Sequence, residues 1–448
     1  MGAGPAGIFA AEALARQDDV PVAVDLVDRL PTPFGLVRYG IAPDHAKMRG
    51  LRDALQRTLD HPRVRFIGNV DVGTDLSLAE LRGHFDAVVY TYGASGDRRL
   101  GIEGESMPGS LAATQIVGWY CGHPDADRAS VEDVLSRVRS VVVVGMGNVA
   151  LDVARVLARS PGELEATDMP QHVLDALAAA PVQQVTVLGR RGPAYAAFTT
   201  HELTELGHLE AATVLVDPAD LDLGPDGERR VAADRVVARN LSLLRSWVGR
   251  EPVPGRVQLR LRFRRRPVRL LGQQRVTGVE VERTVVDDAG GAVGTGEFSV
   301  LPADLVVRAV GYRGHPLPGL PIDVRSNTVP HTAGRVLRDG AASPGEYVAG
   351  WIKRGPTGVV GTNKHDARET VASLLADASA GVLRGDAARA DLVDTLASRG
   401  VRPVLLPDWR AFDAAEAALG ATRGRARTTL HDREMLLAAL GNAAPGRS

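Results

Sequence analysis

Val141-Val-Val-Val-Gly-Met-Gly-Asn-Val-Ala-Leu-Asp-Val-Ala-Arg155 is the stretch from which the rest of the chain is read. Four consecutive valines suit a strand buried on both faces. Gly145-Met146-Gly147 then predicts a tight turn, and Asn148 onward predicts a helix with Val149, Val153, Val156 and Leu157 on one side. Strand, glycine turn and helix in that order form a dinucleotide-binding fingerprint in its required context. Gly145 permits the turn, Gly147 lets the backbone approach a pyrophosphate, and Ala150 lets helix pack on strand. Unpaired N–H groups at the helix start favour an anion there. The alternative is an ordinary strand-to-helix turn of an α/β protein.

A second fingerprint opens the chain: Gly2-Ala-Gly-Pro-Ala-Gly7, an alanine-rich helix from Ile8 to Arg16, and a strand from Pro21 to Val27 that ends at Asp28. A carboxylate at the end of the second strand is placed to hold ribose hydroxyls. No strand precedes Gly2, so the first strand of this unit is expected to be missing through a late start or a shortened chain.

Between these motifs lies Pro33-Phe-Gly-Leu-Val-Arg-Tyr-Gly-Ile-Ala-Pro-Asp-His45, too apolar for a solvent loop. A helix is expected from about Ala46 to Leu59, then short strands near Val64–Ile67 and Ala87–Tyr90. From about Glu103 the chain enters a second domain built on the valine strand. A polar insertion, Ser160 to Pro181, precedes the strand Val185 to Leu188. That strand ends in Gly189-Arg-Arg-Gly192, and paired arginines there favour the 2′-phosphate of NADP over NAD. Arg260, Arg262, Arg264 and Arg266 alternate along a strand-like run. Period-two spacing puts four guanidinium groups on one face, either to dock an acidic partner or as a solvated sheet surface. The second domain should close near Leu305–Tyr312. A strand ending at Trp351 and a glycine turn into a helix then suggest a return to the first domain, followed by a helical, polar tail.

The chain's 448 residues imply two or three domains. A hydrophobic share of 44% and a net charge of -1 give no pull toward nucleic acid or membrane. Lys47, Lys353 and Lys364 are the only lysines, and Cys121 is the only cysteine. One cysteine cannot form an intrachain disulfide, a redox pair or a cysteine-ligated cluster. No metal site and no membrane span is expected, and the location is expected to be cytoplasmic.

Together these residues resemble the adrenodoxin reductase family of flavoproteins, including the bacterial NADPH–ferredoxin reductases of that type. The resemblance rests on Gly2–Gly7, Pro33–His45, Gly147–Arg155, Gly189-Arg-Arg-Gly-Pro193 and Gly350-Trp-Ile-Lys-Arg-Gly-Pro-Thr-Gly358, and runs from Met1 to about Leu440. Asp28 stands where many members carry glutamate. The resemblance implies an α/β fold of two Rossmann-like domains. A discontinuous FAD domain (1–102 and 320–448) would carry an inserted NADPH domain (103–319). Implied FAD contacts are Gly2, Gly4, Ala6, Gly7, Asp28, Leu36, Val72, Trp351, Gly358, Val359 and Val360. Implied NADP contacts are Gly145, Met146, Gly147, Asn148, Val149, Arg190, Arg191, Glu202 and Gly358. His45 and Asp152 match positions near the reacting rings and are the candidate catalytic pair. The implied activity is hydride transfer from NADPH to FAD, followed by single-electron delivery to a ferredoxin-like iron–sulfur protein on a separate chain. An NADPH-dependent flavin monooxygenase and a flavin-free NADPH-binding protein are the alternatives; the lone cysteine removes a disulfide reductase.

Overall fold

The computed structural model describes residues 1–287, 289–383 and 390–442. The chain forms two compact units. One comprises Met1–Gly96, Cys121–Asp125 and Tyr312–Ser448, the other Asp97–Tyr120 and Ala126–Gly311. The divisions fall at Gly96 and Gly311 rather than near 102 and 319, and a five-residue segment at 121–125 belongs to the first unit.

The second unit is a six-stranded parallel sheet in the order Ser110–Ala112, Leu305–Arg308, Ser140–Val144, Gln184–Leu188, Val257–Arg262, Ala212–Val216. The valine strand is internal because all four valines are buried, each contributing about 1.5–3 kcal/mol relative to exposure. Helix Asn148–Ala158 returns across the sheet, burying Val153, Val156 and Leu157. The insertion read as polar is two helices, Pro161–Leu164 and Gln171–Ala179. Ser160 and Glu163 close the first in a reciprocal capping box, and Leu164, Val173 and Leu174 are buried.

The arginine run does not form one strand. It breaks at Arg264, whose φ of +52° ends the Val257–Arg262 strand before Arg265–Gly272 begins an antiparallel three-stranded sheet. Arg262 Nε bonds Asp220 Oδ2 at 2.6 Å, Arg264 Nη1 bonds Asp222 Oδ2 at 3.0 Å and Arg266 Nη2 meets Glu282 Oε2 at 2.6 Å. Arg260 donates to Gln258. Arg262, Arg264 and Arg266 are thus paired with carboxylates inside their own unit and Arg260 with a neutral amide, so the four do not form the single unpaired basic face expected.

In the first unit, strand Val24–Val27 pairs in parallel with Val64–Gly68, and Val404–Leu405 adds antiparallel. A second sheet runs His331–Thr332, Arg335–Arg338, Ala341–Val348, Val88–Tyr90. Helices Pro5–Ala15 and Val360–Ser379 pack together through Ala10, Leu14, Ala367, Val371 and Leu374. The expected helix at 46–59 is split at Gly50 into Ala46–Arg49 and Leu51–Leu59.

The Pro33–His45 run is pinned to the tail. Phe34 meets the Trp409 ring edge-on at 5.5 Å. Arg38, fully buried, donates to both oxygens of Glu416, which Arg427 also approaches at 2.9 Å. The tail is therefore not simply polar: helix Leu406–Ala421 buries Trp409, Phe412 and Glu416. Residues 443–448 of the expected tail lie outside the described residues.

Candidate functional site

In the first unit the glycines are forced by space. A Cβ on Gly7 would lie 1.9 Å from the Gly2 carbonyl oxygen, and one on Gly2 would lie 2.6 Å from the Thr91 backbone. Gly2 also holds φ +104°, a region side chains rarely occupy. Gly4 caps helix Pro5–Ala15, and its Cα faces that of Gly35. Asp28 Oδ2 accepts from the Ala3 amide at 2.5 Å and Oδ1 from the Leu30 amide at 2.8 Å. Burial pushes this carboxyl above its ordinary range, against the pull of both amides.

The Gly350–Gly358 loop meets this helix start. A Cβ on Gly350 would lie 2.6 Å from the Ala6 Cβ. Asp366 accepts from the Gly350 amide and meets Lys353 Nζ at 2.8 Å, while Arg354 donates to Asn363 at 2.8 Å. Trp351 lies 5.5 Å from the Tyr312 ring, and its buried Nε1 has no hydrogen-bond partner among the described residues. Gly358 holds φ +80°, and Val359 beside it is exposed at the start of the 20-residue helix Val360–Ser379. Leu36 is half-exposed, but the Val72 side chain packs into the core with Val27 and Ile67, leaving only its backbone to face a ligand.

The second unit repeats the plan. Gly145 holds φ +139°, and a Cβ there would lie 2.3 Å from the Ala309 carbonyl oxygen. A Cβ on Gly147 would meet nothing within 4 Å, so open space lies beside the cap of helix Asn148–Ala158. That space is what a pyrophosphate requires. Met146 packs over Gly189, and Asn148 Oδ1 accepts from the Thr199 amide at 2.8 Å. Val149 is half-buried.

Arg190 is exposed and Arg191 half-buried at the end of strand Gln184–Leu188. The Arg191 guanidinium lies 4.9 Å from the Tyr195 ring centre and that of Arg230 lies 4.6 Å from it. Burial, with the charges of Arg190 and Arg230, lowers the Arg191 pKa. No ion pair joins Arg190, Arg191 or Arg230 to a carboxylate among the described residues. Asp226, which accepts from the Tyr195 hydroxyl, is the carboxylate nearest this cluster, and three clustered cations beside one carboxylate suit a phosphate. The sequence reading missed Tyr195 and Arg230. Arg230 sits on helix Gly224–Ala233, and only the fold brings it to the Arg190-Arg191 pair.

His45 and Asp152 belong to different units. His45 is buried ahead of helix Ala46–Arg49. Asp152 meets the fully buried Arg155 at 2.8 Å, and Arg155 also meets Glu202 at 3.1 Å. Asp152 and Glu202 thus share one guanidinium in the second unit. Gly358, expected to touch both cofactors, lies in the first.

No protein-family model matches the chain. It is 45% identical over 444 residues to the NADPH-ferredoxin reductase FprA of Mycobacterium tuberculosis, spanning 96% of each chain. It is 39% identical over 460 residues to the mitochondrial NADPH:adrenodoxin oxidoreductase of Arabidopsis thaliana, spanning 99% of this chain and 95% of the relative. The solved structure of Mycobacterium tuberculosis FprA in complex with NADPH superposes with a TM-score of 0.91 at 44% identity, covering 98% of both chains. With two glycine-turn units in one chain and near full-length identity of this level, the chain belongs to the adrenodoxin reductase family.

Proposed function

We propose that the protein is an FAD-dependent NADPH:ferredoxin oxidoreductase, with FAD held by the first unit and NADPH by the second. The observation that carries this reading is the pair of glycine-turn helix starts in one chain, only the second of which is followed by an arginine cluster. FAD, when bound, supplies the conversion of a hydride's electron pair into two single electrons.

In the first unit Gly2, Gly4, Ala6 and Gly7 present the helix start to the pyrophosphate, and Asp28 receives the ribose hydroxyls. The orphan Trp351 Nε1 and the Gly358-Val359-Val360 backbone offer donors to the flavin, while Leu36 and the Val72 backbone bound it. The positive end of helix Val360–Ser379 stabilises negative charge beside it. In the second unit Gly145–Val149 cradle the NADPH pyrophosphate, and Arg190, Arg191 and Arg230 grip the 2′-phosphate. Glu202, fixed by Arg155, orders the neighbouring wall. His45 and Asp152 are proposed to position the reacting rings and balance protons.

The electron acceptor in this proposal is a ferredoxin-type iron–sulfur protein on a separate chain, and the location is the cytoplasm. No helix among the described residues is long and apolar enough to cross a membrane. The test is an absorption spectrum of the purified protein, then anaerobic titration with NADPH and with NADH. A flavin band bleached by NADPH and poorly by NADH is expected. A colourless protein that still binds NADPH would replace this reading with the flavin-free one.

A further inference from the structure

Tyr195 ends the short turn Pro193–Tyr195 that follows the two strand-end arginines of the second unit. This turn is tied to the glycine loop of the same unit. The Tyr195 amide donates to the Gly192 carbonyl at 3.0 Å, and the Ala197 amide to the Met146 carbonyl at 2.8 Å. Helix Gly224–Ala233 packs closely on the turn from its other side. Gly227 is buried there, where a Cβ would lie 3.6 Å from the Ala194 Cβ, and Arg230 Nε donates to the Ala194 carbonyl at 3.2 Å. The Tyr195 hydroxyl donates to Asp226, one turn before Arg230 on that helix, and Asp226 also meets Arg229 at 3.0 Å. The ring is therefore held at both ends, by its backbone turn and by its hydroxyl.

The cations around this ring are anchored by their backbones. The Arg190 carbonyl accepts from Thr284 Oγ1 at 2.6 Å, and the Arg191 carbonyl from the Arg264 amide at 3.1 Å. Their long side chains reach beyond these anchors. The Arg191 guanidinium lies over the Tyr195 ring at 4.9 Å and donates to the Gly290 carbonyl at 3.5 Å; the Arg230 guanidinium lies over the same ring at 4.6 Å. Two like charges repel, and ordering two arginine side chains on a ligand costs rotamer entropy. An aromatic face attracts each guanidinium and offsets both effects before any ligand arrives. With its oxygens engaged by the hydroxyl and by Arg229, Asp226 leaves Arg191 and Arg230 to an incoming anion.

We propose that Tyr195 is a positioning residue for the 2′-phosphate of NADPH, its ring gathering Arg191 and Arg230 into one preorganised anion-binding pair. Preference for the 2′-phosphorylated nucleotide then depends on a side chain that carries no charge and comes from neither arginine-bearing element. This assignment rests on the placing of NADPH in the second unit.

The test measures dissociation constants of adenosine 2′,5′-bisphosphate and adenosine 5′-monophosphate by calorimetry. The purified full-length protein is compared with its Tyr195→Phe, Tyr195→Leu and Tyr195→Met variants. The two probes differ by the 2′-phosphate alone, so the ratio of their affinities reads that group. Phenylalanine keeps the ring; leucine and methionine fill the space without one, and the second covers poor folding of the first. Preference for the bisphosphate should stay within about threefold of the parent in Tyr195→Phe and fall roughly five- to thirtyfold in the ringless variants, the range that two exposed cation–π contacts span. Affinity for the monophosphate and the thermal midpoint should be kept. An unchanged preference in the ringless variants overturns the proposal, as does a Tyr195→Phe variant that loses as much as they do. Equal loss for both probes with a lowered thermal midpoint makes Tyr195 a structural residue and overturns it as well. A parent chain that binds the two probes equally overturns the placing of NADPH itself, a result distinct from any that the Tyr195 variants give.

Discussion

Replacing Arg191 with glutamine tests the cation cluster of the second unit most directly. The change keeps a side chain of similar length beside Tyr195 and leaves Arg230 4.6 Å from the same ring, so the local fold should survive. A hydrogen bond to a charged group contributes about 1.5–3 kcal/mol. Arg191 is half-buried, so water screens part of its interaction and the lower end, about 1.5–2 kcal/mol, applies. At 1.4 kcal/mol per decade that is a weakening of roughly 10- to 30-fold. NADH has no 2′-phosphate, so its KM should move by less than about twofold. Steady-state dye reduction with each nucleotide reads both values, and thermal melting reports any damage to the fold. Added salt should weaken NADPH in the parent chain more than in Arg191→Gln, because the lost interaction is the screened one. Equal loss for NADPH and NADH with a lowered Tm would show a structural role. No loss for NADPH would place the 2′-phosphate elsewhere.

Arg262→Glu would set a second carboxylate beside the buried Asp220; ferredoxin and dye reduction should fall together with the yield of folded protein, whereas a loss confined to ferredoxin would restore a docking role. Glu416→Leu strands the buried Arg38, and an uncompensated buried charge costs about 3–5 kcal/mol, read as a lower urea midpoint in tryptophan fluorescence. The Met1 amine titrates near its ordinary 8.0 when unfolded but at about 6 when folded, chiefly through burial. Between those values the unfolded chain binds more protons, so stability should rise from pH 6 to pH 8 and level off above; urea midpoints should lose this component when the amine is acetylated. Glu346 is held at about 2: burial works against its charge, but bonds from Arg338, Ser343 and Tyr90 override it. Its contribution to stability should be present above about 4.5 and drain away toward pH 2, and Arg338→Ala should diminish that acid-sensitive component.

The glycine turns were legible in the sequence because their constraint is local. Gly145 must be glycine since the Ala309 carbonyl stands where a Cβ would be, and the valines before it leave no other role for the strand. The arginine run misled because its partners are distant: Asp220 and Asp222 lie some forty residues upstream, and pairing with them removed the face that spacing alone implied. Arg230 went unseen for the same reason, as nothing near it in sequence resembles a phosphate site. The tail looked polar because one helical face buries Trp409 and Phe412 among charged neighbours. Val72 was expected against the flavin, and only the packing reveals that its side chain serves the core.

Asp366 holds both the Gly350 amide and the Lys353 ammonium, so a position sixteen residues downstream dictates the path of the loop that carries Trp351. A genetic screen scored by colour and turnover would return Asp366 and Lys353 as pigment-less alleles, indistinguishable from changes at Trp351. Paired substitutions would tell them apart, because two defects routed through one anchor should not compound.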